Sequence, residues 1–267
     1  MGYITKTVGA VLGFFVALTH SHAQLLVDDF SIEGGLTGTI PDVGGIWTTN
    51  PVTTSGQIKV IGGKATVPVT GWELLTSSFP QQSGNTTYAG FTFNYDTMTG
   101  SPAVRGPAMV GGVGIMMGDS YYYNPEGPGG FVLLLNDGIS NDVSQGLAGL
   151  TFRWPVSLNL NTDYRLVLGF TENGNQDQLT LWVNPVGTGS TSVSGLVGSI
   201  STGVSGFLLE EHGHAGRYSV DDLYVGSSFA AAAGLAPLPE PSVGLLLVST
   251  LVVLPRLRRI RRKHCEA

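Results

Sequence analysis

The chain has 267 residues, with 13 Lys and Arg against 19 Asp and Glu, and a single cysteine, Cys265. One cysteine near the C-terminus excludes a disulfide framework, so the fold must depend on its hydrophobic core. Gly, Ser, Thr and Val are abundant, and no stretch of residues 25–228 keeps the 3.6-residue apolar period of an amphipathic helix.

The first element is an apolar segment, residues 8–18, which follows Lys6 and precedes Ser21-His22-Ala23. A short basic region, an apolar core and small residues at −3 and −1 are the layout of a secretory signal peptide. We therefore predict that residues 1–23 are a signal peptide cleaved after Ala23. A retained N-terminal anchor is the alternative.

The body that would be exported is strongly acidic. Without Lys6, the six cations of the C-terminal tail and Glu266, residues 24–241 carry 6 basic and 18 acidic residues, a net charge of −12. Nucleic acids and anionic lipids are bound by Lys and Arg that neutralise phosphates, so this balance argues against both as partners. An acidic body suits solubility outside the cell and also permits divalent cations.

Residues 24–228 consist of short alternating or apolar runs separated by turn-forming residues. Phe91 and Phe93 alternate with Thr92 and Asn94, as in a strand with one buried face. Gly62-Gly63 predicts a tight hairpin turn. The pattern indicates an all-β fold, an antiparallel sandwich or jelly roll. The twelve predicted strands cover residues 25–30, 57–61, 65–69, 73–78, 87–95, 109–117, 131–136, 150–154, 164–171, 178–184, 206–210 and 218–226.

Several segments of this body resemble concanavalin-A-like (laminin-G-type) sandwiches. They are Asp-Tyr-Arg-Leu-Val-Leu at 163–168, Asp-Gln-Leu-Thr-Leu-Trp-Val-Asn-Pro at 177–185 and Val-Asp-Asp-Leu-Tyr-Val-Gly at 220–226, with Leu-Val-Asp-Asp-Phe-Ser at 26–31 similar to a first strand. The resemblance covers about a third of the body. It implies a jelly-roll sandwich whose first and last strands lie side by side.

Two pairs of acidic residues lie near the ends of the body, Asp28-Asp29 and Asp221-Asp222. If the first and last strands are neighbours, the two pairs could converge. Carboxylates together with backbone carbonyls are the oxygen ligands that Ca²⁺ prefers, so calcium is one hypothesis. In the alternative, one Asp of each pair bonds nearby backbone at a strand end while the other faces water.

Aromatic and histidine clusters are further candidates. Tyr121-Tyr122-Tyr123, in a Gly- and Pro-rich segment, could contact a glycan, form a self-association surface or simply pack. Trp47, Trp72 and Trp154 are other aromatic side chains suited to stacking on sugars, whereas Trp182 lies in an alternating strand and is expected in the core. Residues 210–214, Glu-Glu-His-Gly-His, could offer two imidazoles to a transition metal, or form a solvated turn.

Motifs for catalysis are lacking in the sequence. Gly-x-Ser-x-Gly, His-Glu-x-x-His and phosphate-binding loops do not occur, nor does the Glu-x-Asp-x-x-Glu strand that one catalytic branch of the concanavalin-like fold uses. Glu33, Glu73, Glu126 and Glu172 are isolated from one another in the sequence, whereas a glycosidase needs two facing carboxyl groups. We therefore expect a protein that is not an enzyme.

The C-terminal end is organised for a membrane. Residues 229–238 predict a linker, and residues 243–254 form an uncharged apolar run that would span about 18 Å as a helix. Extension over residues 243–260 gives a transmembrane segment of marginal length, if its arginines reach the interface. Six cations follow, which the positive-inside rule places in the cytoplasm: Arg256, Arg258, Arg259, Arg261, Arg262 and Lys263. A buried helix with a basic end, or a nucleic-acid patch, is the alternative.

Pro239-Glu240-Pro241-Ser242, the apolar segment and the arginine cluster together resemble the PEP-CTERM sorting signal of Gram-negative bacteria. The resemblance covers residues 239–267 and implies recognition by an exosortase-type membrane enzyme, with cleavage near Pro-Glu-Pro. Pro255 inside the apolar segment departs from the pattern. The implied route is export across the inner membrane, transient anchoring there, and transfer to the cell surface or extracellular matrix.

These features lead to one expectation and two alternatives. We expect an exported, non-catalytic protein that contacts extracellular polysaccharide through a lectin-like sandwich of residues 24–228. The alternatives are a polysaccharide-degrading enzyme on the same scaffold and a structural surface protein without a ligand.

Overall fold

The structure is a computed structural model that describes residues 23–51, 53–98, 107–111, 116–117, 130–131, 134–136, 151–173, 176–198, 203–212 and 216–235. These residues form eighteen strands and one short helix. In chain order they are β1 Gln24–Asp28, β2 Gly34–Gly35, β3 Thr48–Thr49, β4 Lys59–Ile61, β5 Lys64–Val67, β6 Trp72–Gln82, β7 Thr86–Met98, β8 Ala108–Gly111, β9 Met116–Met117, β10 Gly130–Phe131, β11 Leu134–Asn136, β12 Thr151–Arg153, β13 Leu158–Asn159, β14 Asp163–Thr171, β15 Gln176–Val183, β16 Ser192–Gly198, β17 Val204–His212, β18 Gly216–Gly226 and α1 Phe229–Ala232.

Two antiparallel sheets make up the framework. The larger has nine strands in the order β16-β15-β14-β7-β18-β5-β4-β2, with β1 also paired to β18, and the smaller has the order β3-β6-β17-β8-β9. Phe91 of β7 and Phe207 of β17 meet between the sheets, with ring centroids 5.5 Å apart. One buried apolar cluster draws on both sheets. The prediction of an antiparallel β-sandwich is confirmed.

The inward and outward alternation follows the sequence pattern. Phe91 and Phe93 are 1% and 0% exposed, while Thr92 and Asn94 are half-buried on the opposite face. Each of the twelve predicted strands overlaps an observed strand. The Gly62-Gly63 turn is confirmed as well, because both glycines have positive φ, 60° and 75°, and join the paired strands β4 and β5. Two successive residues with positive φ favour glycine.

Strand β16 was not predicted from the sequence. Its residues Ser192, Ser194 and Gly195 interrupt the apolar alternation, and Val193 is only partly buried against the core. The strand lies at the end of the nine-stranded order and pairs with β15 over seven residues. Its backbone pairing, and not burial of apolar side chains, places it in the sheet.

Two of the tryptophans suggested for sugar stacking are in the core. Trp47 is 0% exposed and Trp154 is 7% exposed, so that suggestion is wrong for both. Trp72 is 47% exposed. Trp182 is buried as expected, but it belongs to a second apolar cluster on the outer face of the nine-stranded sheet.

Helix α1 covers that second cluster. The sequence predicts a linker over residues 229–238, but Phe229, Ala231, Ala232 and Ala233 are all buried against the sheet. Ser228 caps the helix, since its Oγ accepts a hydrogen bond from the Ala231 N–H at 3.2 Å. The ring of Phe229 lies 5.1 Å from Trp182 and 5.4 Å from Tyr88, measured between centroids. The folded body therefore extends to residue 235.

Two residues of the sheet fit α1 closely. Gly90 of β7 lies directly under the helix, and a Cβ at that position would overlap the carbonyl group of Ala232. Arg165 of β14 donates from Nε to the Ala232 carbonyl at 2.8 Å and from Nη1 to the Asp222 carbonyl at 2.9 Å. Arg165 thus satisfies a carbonyl in the last turn of α1, which has no partner inside the helix.

Glu73 of β6 is 0% exposed and organises the loop around β3 and β4. Its Oε1 accepts hydrogen bonds from the Thr37 and Thr49 hydroxyls and the Gly56 N–H. Its Oε2 accepts from the N–H groups of Gln57 and Ile58, at 2.7 and 2.6 Å. A buried carboxylate is tolerated when its lone pairs are filled in this way. Glu73 is therefore a structural residue.

Replacement of Glu73 should destabilise the protein strongly. Glu73→Ala leaves five donors without this acceptor, of which the Ile58 N–H is buried and the others are partly accessible to water. A buried donor without a partner costs about 1–3 kcal/mol, so we expect a loss of about 2 kcal/mol in the free energy of unfolding. Glu33→Ala is the matched control, because exposed Glu33 accepts a single bond, from the Gly63 N–H at 3.1 Å. Urea unfolding of the full-length chain in mild detergent measures both. Equal losses for the two variants would contradict this role for Glu73.

Residues 1–22 of the predicted signal peptide (residues 1–23) and the whole predicted sorting signal lie outside the described residues. Within the part of the chain that is described, the structure contains no helix with the length and apolar character needed to cross a bilayer.

Candidate functional site

A β-bulge in β18 determines the local geometry of the candidate site. Asp222 has φ +49°, and the β18–β7 register shifts between Asp221 and Tyr224. Before the bulge, residues 218–220 pair with β5, and after it, residues 223–226 pair with β1. Asp28 consequently lies opposite Leu223. The expected neighbourhood of the first and last strands is observed, and it brings the two acidic pairs close to each other.

An open pocket of about 500 Å³ lies beside the bulge, between the end of β1, β18 and the segment after α1. Acidic side chains form much of its polar lining, with Arg165 and Thr92 as the other polar members. Its apolar backing comes from β18 and from the alanines around α1. The lining residues are Val27, Asp28, Asp29, Asp42, Thr92, Arg165, Asp222, Leu223, Tyr224, Ala231, Ala233 and Gly234.

Asp28 is the buried member of this group, at 7% exposure. Its Oδ1 accepts from the Phe30 N–H at 2.8 Å and its Oδ2 from the Trp47 indole N–H at 2.7 Å. Burial raises the pKa of Asp28, and these two hydrogen bonds oppose the shift. Asp28 therefore ties the end of β1 to the core through Trp47.

The other aspartates keep more of their carboxylate oxygens exposed. Asp29 is exposed, and its Oδ1 accepts from the Ser31 N–H at 3.0 Å. Asp222 is exposed too, and its Oδ2 accepts from the Thr92 hydroxyl at 3.2 Å. Asp221 accepts from the Asp222 N–H at 2.8 Å and does not line the pocket. Burial, with the neighbouring Asp222 charge, raises the pKa of Asp221.

These contacts agree with the structural alternative for the two acidic pairs, in which carboxylates at strand ends accept hydrogen bonds from nearby N–H groups. No group of three or more His, Cys, Asp or Glu side chains within the described ranges is arranged to hold a metal ion. Calcium binding by Asp28, Asp29, Asp221 and Asp222 stays a prediction. No cluster of three or more such ligands among the described residues supports it.

Two charged residues of the pocket, Asp42 and Arg165, were not singled out as site residues in the sequence. Asp42 lies in the pocket because the next residue, Val43, forms a β-bridge with Val27, with N–H to O distances of 2.9 and 3.1 Å. Arg165 is carried into the pocket by β14, on the face opposite Leu166. Burial lowers the pKa of Arg165, which Asp222 and Asp221 oppose. A lone Asp after Pro41 carries no sequence signal for this position, whereas Arg165 on an outward strand position could have been found from the alternation.

The remaining predicted site residues are only partly described. Tyr121, Tyr122 and Tyr123 lie outside the described residues, as do the sorting motif Pro239 to Ser242 and the basic cluster of residues 256–263. His212 is the last residue of β17 and pairs with Trp72, and His214 lies outside the described ranges. Ala23 is exposed, and its carbonyl accepts from the Ser227 N–H at 3.3 Å.

Stability should depend on pH in opposite senses at Asp221 and Asp163. The raised pKa of Asp221 means that the folded protein binds this proton more tightly, so its contribution to stability falls as pH rises above 3.8. Hydrogen bonds from Asn94 and Lys64 lower the pKa of Asp163, so its contribution is lost as pH falls below 3.8. Relative to the wild type, the free energy of unfolding of Asp221→Asn should increase as pH rises. That of Asp163→Asn should increase, relative to the wild type, as pH falls. Urea unfolding between about pH 3 and pH 7 tests this, and parallel curves for the two variants would contradict it.

Comparison with known proteins yields structural neighbours only: no protein-family model and no curated protein matches the chain. The endo-1,3-β-glucanase from Streptomyces sioyaensis aligns at 12% identity and a TM-score of 0.48, over 82% of this chain and 99% of that one. The carbohydrate recognition domain of Emp47p aligns at 11% identity and 0.43, over 76% and 97%. Alginate lyase vAL-1 from Chlorella virus aligns at 11% identity and 0.41, over 68% and 93%. These neighbours are carbohydrate-binding or glycan-active β-sandwich proteins.

Proposed function

We propose that the protein is exported and sorted to the cell surface or extracellular matrix, where its concanavalin-A-like sandwich binds polysaccharide without cleaving it. The observation that carries the proposal is the pocket beside the β18 bulge. Its volume of about 500 Å³ falls in the range of small-molecule sites, which is about 300–1,000 Å³. A pocket of this size holds a short stretch of a sugar chain.

The chemistry of the pocket suits hydroxyl-rich ligands. Asp29 and Asp222 are exposed and retain oxygens that can accept hydrogen bonds from sugar hydroxyls. Leu223, Tyr224 and Ala233 give an apolar backing against which the C–H face of a sugar ring can pack. Arg165 is fixed by its two bonds to backbone carbonyls, so it enters the pocket already ordered.

Polysaccharide cleavage on the same scaffold is the alternative, and one observation favours it. Asp28 has a raised pKa beside exposed carboxylates, an environment that can separate a catalytic acid from a base. Against this, both of its oxygens already accept N–H donors, from Phe30 and Trp47. A carboxyl group held in this way is poorly placed to exchange a proton with a substrate.

The ends of the folded body support the proposed route of export. Strand β1 begins at Gln24, so cleavage after Ala23 would leave it complete. Gly234 and Leu235 still bond to carbonyls of α1, and Pro239 follows four residues later in the sequence. An exosortase-type enzyme would then act on a motif close in sequence to the folded domain, while the inner membrane holds the apolar segment.

Neutralising the pocket should weaken glycan binding. We expect Asp222→Asn and Asp29→Asn each to raise Kd by about tenfold, which corresponds to about 1.4 kcal/mol. Asn tolerates the positive φ of position 222, so the backbone is preserved. Asp96→Asn, at an ion pair with Arg217 outside the pocket, is the control.

A glycan array with the full-length chain in mild detergent selects the ligand, and titration with it measures Kd for each variant. Equal affinity for all variants would place binding elsewhere, and binding to no glycan would favour the ligand-free structural protein. Release of reducing sugar ends, lost in Asp28→Asn, would establish the enzyme instead.

Removal of residues 239–267 should change the fate of the protein. We expect the truncated chain to leave the membrane fraction without processing, because it lacks the apolar segment and the arginine cluster. The full-length chain should be trimmed at both ends, after Ala23 and near Pro239-Glu240-Pro241. Mass spectrometry and cell fractionation measure both, and a full-length cytosolic protein would contradict the proposed route.

A further inference from the structure

A second surface lies on the outer face of the nine-stranded sheet, beyond α1 and away from the acidic pocket. Five uncharged polar side chains on four adjacent strands define it, with exposed Leu196 of β16 beside them, and we call it the hydroxyl face. Its members are Thr86 of β7, Thr171 of β14, Gln178 and Thr180 of β15, and Ser194 of β16.

Register and alternation place these five side chains together. Thr171 pairs with Thr86 on one side and with Gln178 on the other, and Thr180 pairs with Ser194. Phe170 and Leu179, their chain neighbours, are 1% exposed in the core, so the polar residues face outward. With strands about 4.8 Å apart, the four strands span about 14 Å, the length of a short oligosaccharide.

The hydroxyl groups are paired in a way that leaves hydrogen-bonding capacity unused. Thr86 Oγ1 and Thr171 Oγ1 lie 2.9 Å apart, and Ser194 Oγ donates to Thr180 Oγ1 at 3.1 Å. A hydroxyl offers one donor and two acceptor sites. Within each pair one O–H remains to donate, and several lone pairs remain to accept. The face can thus donate to a ligand and accept from it.

The border of the hydroxyl face with α1 is aromatic. Gly169 lies between Tyr88 and Thr180 in the register. A Cβ on Gly169 would come within 2.9 Å of Trp182 Cζ3, so the indole ring lies against this glycine. Tyr88 is half-buried at the same border, 5.4 Å from Phe229 between ring centroids. A partly accessible aromatic border suits the C–H faces of sugar rings.

Charge selects the ligand. None of the five side chains is ionisable, although the body carries a net charge of −12. A polyanion would be repelled by the body as a whole, and a polycation would find no carboxylate on this face. We propose that the hydroxyl face binds an extended, neutral polysaccharide chain, as a second site separate from the acidic pocket.

Isosteric substitution tests the hydroxyl face. The triple variant Thr171→Val, Thr180→Val, Ser194→Ala removes three hydroxyls with little change in volume, and Val is favoured in strands. Thr76→Val is the matched control, since half-buried Thr76 lies in β6 of the other sheet. Thermal unfolding confirms that each variant is folded.

Binding is measured by native affinity electrophoresis of the full-length chain in mild detergent. The gels contain hydroxyethyl cellulose, dextran or laminarin as neutral probes, or alginate as the acidic probe. We expect at least one neutral probe, and not alginate, to retard the wild type. For the triple variant, the apparent Kd for that probe should rise at least fivefold, whereas Thr76→Val should leave it unchanged.

Two results would overturn the inference: no retardation by any neutral probe, or full retardation of the triple variant. In the second case, a change in the oligomeric state of the triple variant would assign the face to self-association. Failure of the proposed function is separate, because that function is tested with Asp29→Asn and Asp222→Asn on the ligand that the glycan array selects, and neither substitution touches the hydroxyl face.

Discussion

The β-bulge at Asp221–Asp222 is the constraint on which the arrangement of the outer face depends. One residue with φ +49° lets β18 pair with β5 before it and with β1 after it. An αL conformation costs a non-glycine residue roughly 1–2 kcal/mol, and Asp is one of the few side chains that tolerate it. The bulge also turns the Asp222 carbonyl toward Arg165, whose second bond fixes α1. The pocket and one of the contacts that hold the helix thus depend on one local irregularity, and bulges are common near functional sites.

Two buried acidic side chains connect separate segments of the body through hydrogen bonds. Residues 24–241 contain no cysteine, so disulfides do not make such connections. Glu73 gathers five donors from the loop around β3 and β4, and Asp28 joins a backbone N–H to the Trp47 indole. Each carboxylate accepts at least one hydrogen bond from a segment distant in the chain, at Trp47 for Asp28 and at residues 37–58 for Glu73, and such charge-assisted bonds are stronger than neutral ones. Long loops between short strands are held in place by these two side chains.

Local sequence patterns predicted the fold class because the two-residue alternation of a strand is a local property, as at Phe91 and Phe93. They did not predict β16 or α1, whose placement comes from partners far along the chain: β15 for the first, and Gly90 and Arg165 for the second. The meeting of Asp28 with Asp222 followed from the expected pairing of the terminal strands, whereas Asp42 joined through a single bridge at Val43 that no motif signals. Residue type alone suggested Trp47 and Trp154 for sugar stacking, but both side chains are buried in the core.

The pairing of Gln24 with Gly226 has a consequence for the time course of folding. Strand β18 lies between β7 on one side and β1 and β5 on the other, yet among the described residues it is the last strand along the chain. Until residues 216–226 emerge, the first strand lacks its ladder partner and the nine-stranded sheet is divided. Closing a loop of about two hundred residues is an entropic cost that precedes most of the stabilising contacts, and topologies of this kind fold slowly. During synthesis from the N-terminus, the chain would therefore lack this pairing until residues 216–226 are made. Only then could the sandwich be completed.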